Sequence, residues 1–540
     1  MIPFAGRLGW ARETRYPQRG ALMTQHGMVA STNSYTSRAG LEVLKAGGNA
    51  VDAIVAMASV HTVVEPGVGH LGGDSFMLVY DATSQQTSAL NGSGAAPLAA
   101  RREDFARSGG IPQHGPLAAS IPGTVSCWAE AHERFGSLPF AELLTVASEL
   151  AADGFVVSNR LAHHFERAAP VYRRFPGSRT QYLDSMGNPW QAGTILKQPW
   201  LAESLRTVGA EGRSAFYEGA MAHAIVDYWR SEGGLFSLED FARHRTRVEE
   251  PVRGRYRGYE VLQQPLPSQG AVLLLMLAIL EAATPDLSRL STADAIHLMI
   301  EAKKLAFSAK QRLLGDPDFT QISIEDFISD EVASDLASHI RPDRVLPFME
   351  EPGTIASDTD YMCAVDRDRN VVSYIHSLFP GCGVTVPGVG ALFNSRMLGF
   401  SLEPGHPNVL EPGKRPLHTL NSWMIMNDSG QPIVTGGITA GDLQVQFNMQ
   451  ILSNLLDAGM QLHQAFDAPR WGHRQADIIQ IEDRGDVDVM AALELRGHRL
   501  ERQSSWGATG RGHAISIDHE RGILVGHAES RDDGSWVLGY

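Results

Sequence analysis

Apolar residues recur along this chain with two different periods, and together they divide it into helical and extended stretches. From Ser37 to Val64 (SRAGLEVLKAGGNAVDAIVAMASVHTVV) the spacing is helical and breaks at Gly47-Gly48, which predicts two helices. A glycine-rich loop, Pro66–Gly73, comes next, followed by a strand-like run from Ser75 to Tyr80. Residues 139–153 predict a helix that stops at Asp153-Gly154. The turn Pro265–Gly270 feeds an apolar helix over 271–283, with Ser268 as its expected cap, and residues 294–313 predict a long amphipathic helix.

Between 341 and 358 (RPDRVLPFMEEPGTIASD) periodicity is lost, and three prolines and a glycine predict an exposed loop. The pattern then turns to alternation: Tyr361–Asp366, a turn at Arg367–Arg369, and Asn370–Ser377 read as a β-hairpin. Ala391-Leu392-Phe393 and Ile433-Val434-Thr435 are further strand-like runs, and 443–459 predicts a helix after a Gly/Ala/Asp turn. Helices, then strands, then helices, with antiparallel hairpins late in the chain, favour an α+β fold of layered sheets covered by helices over a wound βαβ sheet. No repeat of fixed period occurs.

Composition narrows the function classes. Of 540 residues, 43% are hydrophobic and 20% charged, which is ordinary globular composition. A net charge of −15 argues against non-specific nucleic-acid binding, which needs Lys and Arg to neutralise phosphates. Cys127, Cys363 and Cys382 fit neither a disulfide framework nor a zinc site, and a reducing compartment suits them. The start, MIPFAGRLGWARETRYPQRG, has no apolar core of a secretory signal and reads as a cytoplasmic N-terminus. The run Ala271–Leu280 is too short to span a bilayer, so no membrane partner is expected.

Most familiar motifs fail on context. Gly67-Val-Gly69-His-Leu-Gly72-Gly73 matches GxGxxG, but a helix precedes it and a strand follows, the reverse of a dinucleotide fold, so it reads as a tight turn. His163-His164 lies on a polar helix and is expected to be solvated; no metal or cofactor is expected. No GxSxG elbow is present. The junction Ser357-Asp358-Thr359-Asp360 is different. A threonine hydroxyl is a weak nucleophile unless a base sits beside it, and an N-terminal threonine carries one in its own α-amine, whose pKa of about 7.7–8.0 suits neutral pH. Thr359 ends a loop and opens a strand, so a backbone break there would present that amine on a rigid element; a threonine at a strand start can equally be structural.

The text around Thr359, DTDYMCAVDRDRNVVSYIHS, resembles the start of the small subunit of the γ-glutamyltransferases, which are N-terminal-nucleophile (Ntn) hydrolases. Further resemblances fall in order along nearly the whole chain: GLEVLKAGGNAVDAIVA (40–56), EPGVGHLGGDSFMLVYD (65–81), PGTVSCW (122–128), PLPSQG (265–270), LGDPDF (314–319), PGKRPLHTL (412–420), TGGITAGDLQVQ (435–446), FDAPRW (466–471) and AESRDDG (528–534). The resemblance implies a four-layer αββα sandwich formed by two interlocked parts of one precursor, 1–358 and 359–540, a self-cleaved heterodimer that can itself pair, and a small acyl substrate. It implies Thr359 as nucleophile, Ser377 as the hydroxyl bonded to it, and the N–H groups of Ala440 and Gly441 as the oxyanion hole. In the pocket the chain departs from the γ-glutamyl pattern. Ser93 replaces the arginine for the substrate α-carboxylate, Gly399 replaces the acid for the α-amine, and His418-Thr419 replace paired serines. Arg396 stands where the oxamate-amidohydrolase-like branch has arginine, as a carboxylate anchor or as half of a structural ion pair. The expected activity is therefore hydrolysis or transfer of a small acyl amide. Oxamate-like, γ-glutamyl and β-lactam side-chain amides, carbon–carbon cleavage and a non-catalytic binding role remain as alternatives.

Overall fold

The computed structural model describes residues 19–347, 358–473, 478–532 and 534–540. The first eighteen residues, and 348–357 of the expected loop, lie outside the described residues.

Two seven-stranded sheets face each other. One, the hairpin sheet, runs Trp536–Gly539, Met28–Ser31, Asp358–Val365, Val371–Phe379, Asp74–Asp81, Gln86–Gly92, Arg247–Glu249. The other runs Leu22–Thr24, Ile523–Ala528, Gly512–Asp518, Pro432–Ile438, Ser422–Met426, Tyr259–Gln263, Val252–Tyr256. Period-two alternation decides what each strand packs against. From Asp358–Val365, Tyr361 and Cys363 join Phe76, Ile375, Met424 and Ile515 between the sheets. Met362 and Ala364 of the same strand point the other way, into a layer with Val51, Ile54 and Trp128. The second sheet is covered by helices that bring Leu273, Ile300 and Phe447 against Trp423. This is the four-layer αββα sandwich expected, with strands from before and after residue 358 interleaved in both sheets.

The helix Ala50–Val64 is buried at every position, so it sits between sheet and outer helices as an element apolar all round should. It starts where the glycine break predicts. Asn49 accepts from the N–H groups of Val51 and Asp52, and Asp52 closes a capping box.

Five expectations need correction. The hairpin strands are longer than their alternation indicates, Asp358–Val365 and Val371–Phe379, because pairing continues past the loop to the Thr359 end. Residues 391–393 form no strand, only the bridges Thr385↔Leu392 and Gly72↔Phe393, since no neighbouring strand is extended beside them. The cap position before helix Gly270–Ala283 is Gln269, not Ser268; the Ser268 hydroxyl donates to the Leu420 carbonyl and accepts from Gly270 N–H. His163 is exposed, but His164 is half-buried, packed against Gly67 and 3.1 Å from the Tyr172 hydroxyl. The helix predicted over 443–459 is observed as Leu443–Leu456. All three cysteines are free and buried, and no helix among the described residues is long and apolar enough to cross a membrane.

Candidate active site

Thr359 and Ser377 stand directly opposite each other on the hairpin, and the register shifts at Asp358/Thr359. Both are fully buried, and the Thr359 hydroxyl donates to Ser377 Oγ at 3.1 Å. Ser377 Oγ also accepts from the Phe379 N–H at 2.8 Å. Phe379 has φ of 61°, a conformation costly for a bulky residue, and such strain concentrates at functional positions. Sequence patterning gave no hint of it.

Asp74 extends the same row. It is the register partner of Ser377 on the next strand and lies on the same side of the sheet. Its carboxylate accepts from Gly94 N–H at 2.9 Å and lies 3.3 Å from Arg396 Nε. Burial pushes Asp74 up to about 6 despite the neighbouring Arg396 guanidinium. Arg396 itself is wholly buried, with its guanidinium carbon 4.5 Å from the Phe379 ring centroid. The arginine thus makes the structural ion pair through Nε, while Nη1 and Nη2 have no hydrogen-bond partner. Buried donors of that kind cost stability unless a partner arrives.

His418 packs edge-on to Phe76, with ring centroids 5.1 Å apart, and neither ring nitrogen is bonded. Burial first, then Arg396 and Arg415, push His418 far below its usual range, so it is a neutral imidazole. The Thr419 hydroxyl is likewise unpartnered. Ser93 is nearby in sequence to Gly94 but turns its hydroxyl onto Asn91 Oδ1 at 2.6 Å. Arg396 is thus near enough to act on His418 electrostatically, while the Ser93 hydroxyl is engaged locally.

Ala440 and Gly441 form the turn beyond strand Pro432–Ile438, with φ of 133° and 58°. Gly437 of that strand lies against the Tyr361 ring, two residues on from Thr359 on the same face. The turn is braced from below. Lys310 Nζ reaches Asp442 at 3.0 Å and Gln269 Oε1 at 3.3 Å, while Gln269 Nε2 donates to the Thr419 carbonyl at 2.7 Å and the Gly441 carbonyl at 3.4 Å. One buried amide thus ties the Ala440-Gly441 turn to the His418-Thr419 turn.

This fold has known relatives. The family model for gamma-glutamyltranspeptidase matches residues 36–538. The chain belongs to the gamma-glutamyltranspeptidase family. It is 34% identical to the glutathione hydrolase-like YwrD proenzyme of Bacillus subtilis (strain 168), covering 94% of this chain and 98% of that one. It is 31% identical to the oxamate amidohydrolase proenzyme of Klebsiella pneumoniae, covering 96% and 99%. The crystal structure of cephalosporin acylase from Bacillus halodurans superposes with a TM-score of 0.88 at 33% identity, covering 98% of both chains. Like these gamma-glutamyltranspeptidase relatives, the chain is an enzyme of the acyl hydrolase and transferase kind.

Among the described residues, two buried groups bring three potential metal donors together: His61, Asp360 and His376, and His297, Glu301 and His498. The second group is already engaged. His297 bonds His498 at 2.8 Å and the Arg341 carbonyl at 2.7 Å, and Glu301 holds Lys304 and the Leu346 N–H, each at 2.7 Å. Asp74, Gln269 and Lys310 carry no sequence signal because their partners are distant in the chain, and Phe379 carries none because its backbone strain is not a local pattern.

Proposed function

We propose that the chain cuts itself between Asp358 and Thr359, and that Thr359 then hydrolyses a small acyl amide whose acyl part carries its own carboxylate. The carrying observation is the buried Thr359–Ser377 hydroxyl pair at the head of a strand, one row from an arginine with two unpartnered nitrogens.

Once freed, the Thr359 α-amine takes the proton from Oγ as Oγ attacks the acyl carbon. The N–H groups of Ala440 and Gly441 hold the oxyanion, and each such donor is worth roughly 3–4 kcal/mol in the transition state. The amine returns its proton to the leaving nitrogen, the leaving amine departs, and an ester to Thr359 remains; water then releases the acid. Arg396 Nη1 and Nη2 accept the substrate carboxylate as a bidentate fork. Gly399 supplies no acid for an α-amine, which favours oxamate-like or glutaryl amides over γ-glutamyl compounds.

Intact mass of the purified protein should show fragments 1–358 and 359–540, and Thr359→Ala should stay whole and inactive. Wild-type protein that remains a single chain would overturn the proposal. A panel of oxamate, glutaryl and γ-glutamyl amides tests the substrate class, with γ-glutamyl compounds expected to be the poorest.

A further inference from the structure

Directly behind the Thr359–Ser377 pair, on the opposite face of the same two strands, lies a second pair. Asp360 and His376 are register partners, and alternation turns their side chains toward the helix Ala50–Val64. His61 of that helix sits between them. Its Nε2 is 3.1 Å from Asp360 Oδ2 and its Nδ1 is 3.1 Å from His376 Nε2. Thr32 Oγ1 donates to Asp360 Oδ1 at 2.6 Å. All four residues are fully buried. The glycine-rich loop is shaped around the set: a Cβ on Gly69 would lie 2.4 Å from the His376 ring. The charged and titratable groups facing it are Arg160 of helix Asn159–Tyr172, Glu65 after the His61 helix, His70 of the glycine-rich loop, Arg511 before strand Gly512–Asp518, and Tyr374 of the hairpin.

None of these groups can reach the acyl chemistry, which lies on the other side of the sheet. An acid and two imidazoles in an apolar layer are costly to hold. Asp360 and His376 nonetheless immediately adjoin the two hydroxyl residues, at the point where the strand register shifts.

We propose that Asp360, His61 and His376 are positioning residues for self-cleavage: they hold the start of strand Asp358–Val365 so that Thr359 Oγ faces the Asp358 carbonyl, and the direction of their shared protons makes the cleavage rate depend on pH. This rests on the self-cleavage reading above. In the cleavage step Oγ bonds to the Asp358 carbonyl carbon, the Asp358–Thr359 C–N bond breaks, and the hydroxyl proton ends on the freed amine. Water then hydrolyses the ester to the Asp358 carboxylate and the Thr359 hydroxyl. With Asp360 ionised, Thr32 donates to it, His61 turns its Nε2–H toward it as the facing partner 3.1 Å away, and His376 donates to His61. With Asp360 protonated, the two imidazole protons run the other way. Burial raises Asp360 to about 7, against the pull of Arg511 and Arg160, so both arrangements are populated near neutral pH.

The test follows full-length precursor made by cell-free translation, with fragment appearance measured by mass spectrometry from about pH 5 to pH 9. Wild type should cleave at a rate that changes with a midpoint near 7. Asp360→Asn and His61→Gln should each slow cleavage roughly ten- to a hundred-fold and flatten the profile, and the double variant should be no slower than the slower single one. Thr32→Val, which removes only the hydroxyl donor to Asp360, should move the midpoint upward while cleavage continues. That variant keeps the test open if the others do not fold. A wild-type profile in Asp360→Asn, additive losses in the double variant, or an unmoved midpoint in Thr32→Val overturns the proposal. If wild type itself never cuts, the fault lies with the self-cleavage reading; if wild type cuts and the variants follow it, only the positioning role fails.

Discussion

Arg396 carries the sharpest residue-level consequence of the geometry. Its Nε is spent on Asp74, so the two outer nitrogens are what a substrate carboxylate can use. Replacing it with Met should raise KM for a carboxylated amide roughly ten- to a hundred-fold, the worth of a charge-assisted bond, while leaving fragment formation intact. Arg396→Lys should recover only part of this, since an ammonium lacks the planar fork. Steady-state kinetics against a neutral amide of equal size separates the anchor from general damage. Asp74 has a pH signature of its own. Its pKa is raised from 3.8 to about 6, so the folded state binds its proton more tightly than the unfolded chain does. That contribution to stability is complete below about 4 and is lost as pH rises through about 6. Asp74→Asn should remove on the order of 1–3 kcal/mol of this pH-dependent change, visible as a flatter urea midpoint between about pH 4 and pH 7. Ala440 holds φ of 133° where a glycine would sit without strain, so Ala440→Gly should raise the unfolding free energy by about 1 kcal/mol, seen as a higher urea midpoint, with activity kept.

The relevant element is the brace under the Ala440-Gly441 turn. Helices Gly270–Ala283 and Thr292–Leu313 reach it through Gln269, just ahead of the first, and Lys310 near the end of the second. Gln269→Leu removes the donor shared by the Thr419 and Gly441 carbonyls and the acceptor for Lys310. Stability should fall by about 1–3 kcal/mol, the cost of buried polar groups left unpaired. On the proposed role of Ala440 and Gly441, the turn would hold charge that develops only in the transition state, so kcat should fall more than KM rises. An equal loss in both would mean that the brace serves folding alone. The same loop-to-turn logic explains the glycine-rich loop. Gly72 lies where a Cβ would meet the Leu392 carbonyl at 2.4 Å, and Gly69 where it would meet His376, so these glycines permit close approach rather than phosphate binding.

For the whole molecule, interleaving is the governing feature. Each sheet takes strands from both sides of the Asp358–Thr359 bond, with Asp74–Asp81 hydrogen-bonded to Val371–Phe379 and Tyr259–Gln263 to Ser422–Met426. A break in the connecting chain removes none of these ladders. Protein cut at the proposed site should therefore elute as one species on size exclusion and part into two fragments only in denaturant, and the halves expressed separately should not fold, since each sheet would be left with long unpaired edges. Two fragments that separate in native buffer would contradict this.

The elements themselves were largely written in the chain. A glycine pair at Gly47-Gly48 split two helices, alternation from Tyr361 marked the hairpin, and an unbroken apolar face marked helix Gly270–Ala283, because helix and strand periods are local properties of the sequence. Thr359, Ser377, Arg396, Ala440 and Gly441 were singled out through the family resemblance of the text around them, and their roles remain proposals. What only the tertiary structure decided is how residues far apart in sequence share a row or a face: Asp74 beside Ser377, Arg396 over Phe379, Gln269 beneath Gly441, His61 between Asp360 and His376. Strand pairing and sheet stacking set those distances, and neither is a function of local pattern, so the chain fixes which residues can do chemistry while packing fixes which of them meet.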